Sequence, residues 1–392
     1  MTFRLWNILD GAHRLLFLCA ALHAAIVPLV WLFPEAAVPS PSAFHSSQLV
    51  FGTTWAAIGG YVLTALASWN KQYRGSAWTS VVATVLWLFD RTVPWLASLV
   101  ADRGNFYIPD LFPVFLLTFA AFHMPKGSKR SGWAVLFLVL IIWMAPFVAV
   151  SSSAAEAGRS TPVVVVILIC GLVTLVGSRA FPAFAKVWQP NAMPSQQDRW
   201  SRKFEFAATA MLVFAAAAYE WIEVKVAAAL FIVTAAIIGL RTMTWHWKVA
   251  FSYPALLMLF IAWAWLPIGI ALCGASMLVD DPTTTVHFIH ALAIGAVGSS
   301  IYAMMARPAM RRRDGKLVAG HFTIVGFILL QLSAVARVFL AQYALLFDDA
   351  IAAASLGWCG AWCLFILDYA PSLLKPPPHP VFSAARSVQL SE

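Results

Sequence analysis

Charge is scarce in this sequence of 392 residues. Its 26 basic and 17 acidic side chains make up 11% of the chain, whereas 61% of the residues are hydrophobic. A soluble domain of this length would carry about twice that share of charged residues. The composition therefore excludes a soluble globular protein and predicts a multi-pass membrane protein, whose first partner is the lipid bilayer.

Cysteine and recognisable catalytic motifs are also scarce. The sequence contains neither a Cys-x-x-Cys pair nor a disulfide framework, and its five cysteines all fall inside apolar segments: Cys19, Cys170, Cys273, Cys359 and Cys363. We also find no phosphate-binding loop, no nucleophile–base pair and no paired carboxylates. We therefore assign no catalytic residue and make no prediction of enzyme activity.

Apolar segments long enough to cross a bilayer recur along the whole chain. A transmembrane helix needs about 20 apolar residues at a rise of 1.5 Å each. The first segment is longer than the apolar core of a secretory signal, so we expect it to be retained as span 1. We predict an all-α transmembrane helix bundle of about twelve spans, at roughly 13–33, 48–69, 76–100, 109–124, 132–153, 162–187, 203–219, 224–242, 249–277, 286–307, 319–343 and 350–371.

These spans define one predicted transmembrane domain at residues 1–374. A polar segment at 186–203 divides the spans into two groups of six. The remaining residues, 375–392, begin with Lys-Pro-Pro-Pro-His-Pro and continue with serine and glutamine. That composition predicts a disordered cytoplasmic tail.

Basic residues alternate from loop to loop, and the alternation predicts the orientation of the chain. Of the 26 Lys and Arg residues, twenty fall in the N-terminal segment, in every second loop or in the tail. The intervening loops hold only Arg103, Arg159 and Lys225. Because positive charge stays on the cytoplasmic side, we predict that both termini are cytoplasmic. The net charge of +9 therefore reflects topology, and we expect no nucleic-acid partner.

A few polar side chains at membrane depth are the candidate site residues. Arg91 and Arg337 lie in the outer halves of spans 3 and 11, where a charge is costly unless it is paired. His45 precedes span 2, and His287 and His290 share a face in the first turns of span 10. Imidazole is a common ligand of haem iron and copper. The pattern predicts either a metal or haem site near the outer surface, or structural pairing with neighbouring helices.

Two stretches of the sequence resemble the NnrS family. The first resembles the family pattern Trp-His-x-His-Glu-Met-Leu-Phe-Gly and reads Phe44-His45-Ser46-Ser47-Gln48-Leu49-Val50-Phe51-Gly52, followed by Gly59-Gly60-Tyr61. The second resembles the family's span-10 signature and reads His290-Ala291-Leu292-Ala293-Ile294-Gly295, followed by Met304-Met305-Ala306-Arg307 and Asp314-Gly315-Lys316. With weaker similarities around Arg91, Arg179, Arg337 and Tyr369, the resemblance runs from about residue 11 to residue 371.

The resemblance implies a twelve-span protein of the bacterial cell inner membrane, linked to denitrification and to tolerance of nitric oxide and nitrosative stress. It also implies binding of haem and copper, with His45 and His290 at the motif positions that would ligate metal. Arg91 and Arg337 would pair with haem propionates or another anionic ligand. His287 matches no motif position and is either a substitute ligand or a residue without a role in ligation. Nitric oxide or a redox protein is the partner that the family implies.

Several family ligand positions carry other residues in this chain. The second His and the Glu of His-x-His-Glu are replaced by Ser47 and Gln48, and the His of span 9 aligns with Phe260. The family's four-histidine ligand set is therefore not retained in this chain. The sequence supports copper binding less than haem binding. His23 and Met304 are candidates to replace the missing ligands.

Two other functions are compatible with the sequence. Twelve spans, both termini inside and a central division fit a secondary transporter. The loop at 70–76 lacks the acidic–basic signature of a major-facilitator protein, which opposes that alternative. The replaced ligands favour a metal-free membrane scaffold derived from the NnrS family. Haem content separates these alternatives from the haem-binding interpretation.

Overall fold

Almost all of the described chain is helical, as the composition predicts. The computed structural model describes residues 5–33, 40–73, 75–100, 110–125, 130–150, 161–188, 197–245, 247–279 and 282–382. Within these ranges the chain forms helices and one short hairpin, which confirms an all-α multi-pass architecture. Part of the predicted dividing segment, 189–196, and the end of the predicted tail, 383–392, lie outside the described residues.

Among the described residues, ten helical segments are long and apolar enough to cross a membrane. Predicted spans 3 and 4 are not among the ten. Span 3 is a 24-residue helix that contains Asp90 and Arg91, and span 4 is a helix of 13 residues, about 20 Å long against a hydrocarbon core of about 30 Å. The count of twelve and the side of the termini remain predictions. The ten segments are His13–Trp31, Pro41–Trp69, Ser131–Val148, Thr161–Val187, Lys203–Ile222, Val224–Met243, Pro254–Val279, Thr284–Ala309, His321–Leu340 and Ala344–Leu373.

The chain divides into two compact units. Unit 1 comprises Met1–Leu140 with Ile366–Pro378, and unit 2 comprises Ile141–Phe365 with His379–Glu392. The helices of unit 1 are α1 (His13–Ile26, continued by a 3-10 turn at Val27–Trp31), α2 (Pro41–Ser47), a π-helical segment (Gln48–Thr53), α3 (Thr54–Trp69), α4 (Ala77–Val100), α5 (Leu111–His123) and the start of α6 (Arg130–Val150).

Glycine allows close packing at the centre of unit 1. Helix α1 packs against α3 and α4, and α5 packs against both of them as well. A Cβ atom on Gly60 would lie 2.5 Å from the Phe17 ring of α1, and one on Gly59 would lie 2.4 Å from the Phe112 ring of α5. Each glycine of the Gly59-Gly60 pair in the first motif therefore lies against an aromatic ring of a different neighbouring helix, which leaves no room for a side chain.

Unit 2 contains the end of α6, the remaining helices up to Phe365 of the last helix, and the hairpin; the last turns of that helix belong to unit 1. Helix α8 packs against α7 and α9, and α9 packs against α10. The elements are α7 (Thr161–Trp188), α8 (Gln197–Ala217) with a π turn (Ala218–Ile222), α9 (Val224–Met243), a 3-10 helix (Trp247–Ser252), α10 (Pro254–Val279), α11 (Pro282–His290), a π-helical segment (Ala291–Gly298), α12 (Ser299–Ala306), a 3-10 turn (Arg307–Ala309), β1 (Arg311–Arg313), β2 (Lys316–Val318), α13 (His321–Val335), a π turn (Ala336–Leu340), a 3-10 turn (Ala344–Leu346) and α14 (Phe347–Leu373).

The hairpin of β1 and β2 is an element that our sequence analysis did not predict. Its two-residue turn consists of Asp314 and Gly315, whose φ angles are +49° and +74°. Two consecutive positive φ angles are typical of a type I′ hairpin turn, for which Asp-Gly is a favoured sequence. The dipeptide was therefore the signal that could have identified this element between two spans.

Candidate functional site

Three of the five predicted site residues lie beside or inside a π-helical segment. His45 shortly precedes Gln48–Thr53, His290 directly precedes Ala291–Gly298, and Arg337 lies within Ala336–Leu340. Such segments interrupt the regular backbone pairing of an α-helix and frequently occur at functional sites. The local backbone therefore distinguishes these three positions from the helices around them.

The hydrogen bond of His290 fixes the position of its proton. Nδ1 lies 2.7 Å from the carbonyl oxygen of Val286, one turn earlier on α11. A carbonyl oxygen can only accept, so Nδ1 carries a proton, and in the neutral imidazole Nε2 carries the lone pair. An Nδ1–H donated to a backbone carbonyl is the arrangement that commonly orients a histidine for ligation through Nε2. The chemistry of His290 thus fits that of a metal or haem ligand.

His287 is bound to Arg337 and has the opposite tautomer. Nη1 of Arg337 lies 2.9 Å from Nδ1 of His287. A guanidinium can only donate, so Nδ1 of His287 accepts and its proton resides on Nε2. The His287 ring also contacts the edge of Phe347, with 6.3 Å between the ring centroids. The structure brings His287 and Arg337 together, and in this tautomer Nε2 of His287 has no lone pair for a metal.

His45 lies near the end of α2 in unit 1. Its ring is 5.5 Å from that of Trp31, in an edge-to-face arrangement at 66°. His290 belongs to unit 2. Joint ligation of one group by His45 and His290 therefore stays a prediction.

Arg91 and its neighbour Asp90 both contact the start of α5. Nη2 of Arg91 forms an ion pair with Oδ1 of Asp110 at 3.1 Å. The two carboxylate oxygens of Asp90 accept from the backbone N–H groups of Leu111 and Phe112, at 3.0 and 2.7 Å. Arg91 therefore has a partner on the neighbouring helix. Such structural pairing was the alternative to binding an anionic ligand.

His23, a candidate to replace a missing ligand, lies in a polar cluster that the sequence analysis did not predict. Nε2 of His23 lies 3.1 Å from Oε1 of Gln48, and Nδ1 lies 3.0 Å from the hydroxyl of Thr53. A Cβ atom on Gly52 would lie 2.4 Å from the His23 ring, and the Gly52 carbonyl accepts from Nε1 of Trp87 at 2.9 Å. Gln48, at the motif position of the family's Glu, is therefore a partner of His23. Gln48 and Gly52 lie four residues apart, and this spacing was the sequence signal that could have identified the cluster.

Phe260, at the aligned position of the family's span-9 His, is an aromatic packing residue. Its ring lies 5.6 Å from that of Phe181, which stacks on Trp245 at 4.8 Å. Trp245 in turn contacts Trp263 at 4.9 Å. The surroundings of Phe260 are apolar rings, which explains why a phenyl group is accommodated there.

A second group of hydrogen-bonded polar side chains, which the sequence analysis missed, lies beside the π-helical segment of unit 2. Nε1 of Trp265 donates to Oε1 of Gln331, and Nε2 of Gln331 donates to the hydroxyl of Ser299, each at 2.8 Å. A Cβ atom on Gly295 would lie 2.5 Å from the Trp265 ring. These two hydrogen bonds connect α10, α13 and α12 beside the motif that begins at His290. An isolated glutamine in an apolar span was its sequence signal.

Metal-ligating side chains are dispersed along the described chain. No group of three or more His, Cys, Asp or Glu residues capable of holding a metal ion occurs within the ranges that the structure covers. Copper sites are usually built from several nitrogen or sulfur ligands, whereas haem iron needs one or two protein ligands. The residues present therefore fit a haem better than a copper ion.

Comparison with known protein families identifies the family of this chain. A family model described as NnrS protein matches residues 7–376, which is nearly the whole chain. No curated protein matches the sequence.

Proposed function

Since the chain belongs to the NnrS family, we propose that it is a bacterial inner-membrane protein that acts in the response to nitric oxide and nitrosative stress. The observation that carries this proposal is the family match over residues 7–376, which includes both histidine motifs. Within the described ranges, ten apolar helices are long enough to cross a membrane, and they support the location in a lipid bilayer. Tolerance of nitric oxide is the activity that the family resemblance implies.

The proposal includes a haem near the outer surface, with His290 as the residue that would ligate its iron. The hydrogen bond from Nδ1 of His290 to the Val286 carbonyl supports His290, because it leaves the lone pair on Nε2. When bound, haem iron supplies a centre that binds nitric oxide or exchanges an electron. The task of His290 is to hold that iron in a fixed orientation.

Arg337 and Arg91 have different roles in this proposal. Arg337 and His287 together present N–H donors, and no described carboxylate lies within 4.0 Å of Arg337. Such a pair suits the carboxylate of a haem propionate. Arg91 already has Asp110 as a partner, so we assign Arg91 a structural role at the start of α5. We do not extend the proposal to copper, because the described residues bring no three ligands together.

The proposed role is tested by complementation under nitric oxide. A strain lacking the gene is grown with a nitric oxide donor and supplied with the wild type, His290→Gln or His379→Gln. His379 is an exposed histidine near the C-terminal end and is the matched control. We expect the wild type and His379→Gln to restore growth and His290→Gln to fail at equal abundance in the membrane. Growth of the uncomplemented strain at the wild-type rate would contradict the role itself.

A further inference from the structure

The hairpin of β1 and β2 has two unlike faces. Residues paired across a hairpin point to the same side, and successive residues along a strand point to opposite sides. The pairs are Arg311 with Val318, Arg312 with Leu317, and Arg313 with Lys316. One side therefore carries Arg311, Arg313, Lys316 and Val318, which we call the cationic face, and the other side carries Arg312 and Leu317.

The side opposite the cationic face holds the hairpin in place. Leu317 is buried, with 3% of its surface exposed. Nη2 of Arg312 donates to the backbone carbonyls of Pro380 and Val381, at 3.0 and 3.1 Å. Arg311 and Arg313 on the cationic face are exposed. The cationic face is therefore presented by an anchored element and keeps a fixed spacing between its charges.

The hairpin lies at the ends of two membrane-spanning segments. It follows Thr284–Ala309 and precedes His321–Leu340 after short connections. Nζ of Lys316 lies 5.4 Å from the centroid of the Tyr253 ring, at the entry to α10. The cationic face is thus next to a third span end, which places it at the boundary between the hydrocarbon and the water.

Aromatic side chains accompany the cations at this boundary. Trp247 and Phe251, in the 3-10 helix before α10, are exposed, and Nζ of Lys248 lies 5.9 Å from the centroid of the Trp247 ring. The hairpin has one carboxylate, that of Asp314, at 3.8 Å from Arg313. Both partners of that contact are highly exposed, so it neutralises little of the positive charge.

We propose that the cationic face, together with the exposed rings of Trp247 and Phe251, binds the headgroup of an anionic phospholipid. Guanidinium groups bind phosphate oxygens through paired hydrogen bonds, and an ammonium adds a further donor. Aromatic rings are stable at the level of the headgroups. The proposal concerns the water-facing end of the spans and is independent of haem and of nitric oxide.

The proposal is tested with the full-length protein in detergent and with two added lipids. Phosphatidylglycerol and phosphatidylcholine are titrated in turn, and bound lipid is counted by native mass spectrometry. Removing one charge should weaken phosphatidylglycerol binding about fivefold, so Arg311→Gln/Arg313→Gln/Lys316→Gln should weaken it about a hundredfold. Asp314→Asn should strengthen it. Phosphatidylcholine binding should not change in any of these variants.

A matched control removes the same charge elsewhere. Lys71→Gln/Lys225→Gln/Lys375→Gln changes three exposed lysines outside the hairpin and should retain wild-type selectivity for phosphatidylglycerol. Elution profile and melting temperature check that both triple variants are folded. Unchanged lipid binding in the hairpin variant, or an equal loss in the control, would overturn the proposal. It would also be overturned if inorganic phosphate displaced the lipid at equal concentration, since the surface would then be a site for free phosphate.

Discussion

His287 and His290 are one helical turn apart, yet their hydrogen bonds assign them different chemistry. A carbonyl accepts from Nδ1 of His290, whereas a guanidinium donates to Nδ1 of His287. Sequence spacing makes the two residues equivalent, because both face the same side of α11. The difference arises from Arg337, which lies fifty residues from His287 in the sequence. A local pattern could therefore find both histidines but could not separate their roles.

The Gln48–His23 contact predicts a loss of stability when its acceptor is removed. Gln48→Leu leaves the Nε2–H group of a half-buried His23 without its partner, which should cost about 1–3 kcal/mol. Ser46→Ala, which removes a hydroxyl bonded within α2, is the control. Melting temperatures of both variants in one detergent, at one scan rate, should show a drop for Gln48→Leu alone. Equal melting temperatures would show that the contact contributes nothing.

Helix α5 depends on a neighbouring helix for the acceptors at its N-terminus. The first N–H groups of a helix have no partner within the helix, and here Asp90 of α4 accepts from two of them. The negative charge of Asp90 also lies at the positive end of the α5 dipole. In the sequence, Asp90 directly precedes Arg91, which we identified as a costly charge at membrane depth. The sequence could not show that the charge of Asp90 holds the start of a short helix, because that depends on how α4 and α5 pack.

Asp90→Ala should loosen α5 without unfolding the rest of the chain. Two backbone N–H groups lose their acceptor, which should cost about 1–3 kcal/mol at the start of the helix. Hydrogen–deuterium exchange should therefore accelerate in the peptide covering Leu111–His123 and remain unchanged in α10. Thr92→Ala, which removes a hydroxyl bonded only within α4, is the control. Wild-type exchange in α5 of the Asp90→Ala protein would refute the capping role.

The π-helical segment of unit 2 predicts a second effect at the scale of an element. Gly295 leaves no space for a side chain, since its Cβ would lie 2.5 Å from the Trp265 ring. Gly295→Ala should therefore displace the ring and cost about 1–3 kcal/mol. Gly239→Ala in α9 meets open space and should be neutral or stabilising by up to about 1 kcal/mol. Comparison of the two melting temperatures checks this, and a Gly295→Ala protein as stable as Gly239→Ala would contradict the packing.

At the scale of the whole molecule, hydropathy predicted most of the architecture. In the part of the chain that the structure describes, ten of the predicted spans correspond to apolar helices, because the cost of placing unpaired polar backbone in lipid makes each long apolar segment helical. Of the two other predicted spans, the one around Arg91 contains charged residues, and the one around Phe112 forms a helix of 13 residues. The hairpin at Asp314 was missed because apolar length is not informative about loops. The His23 and Gln331 clusters were missed because their partners come from distant spans.

The orientation of the chain remains to be measured, and the basic residues predict the outcome. If α4 and α5 both cross the membrane, the connection at 101–109 lies outside and Gly75 lies inside. An impermeant maleimide added to intact cells should label Asn105→Cys and leave Gly75→Cys unlabelled until the cells are opened. Labelling of neither variant from outside would show that α4 and α5 do not cross, and labelling of Gly75→Cys would reverse the predicted orientation.

The central claim is that this NnrS-family protein holds haem through His290. The most direct test is the optical spectrum of the purified protein, oxidised and reduced, with pyridine haemochrome quantitation. We predict a Soret band with about one haem per chain in the wild type and in His287→Gln, and its loss in His290→Gln. A colourless wild-type protein after haem-replete expression would contradict the claim and favour a secondary transporter or a metal-free scaffold.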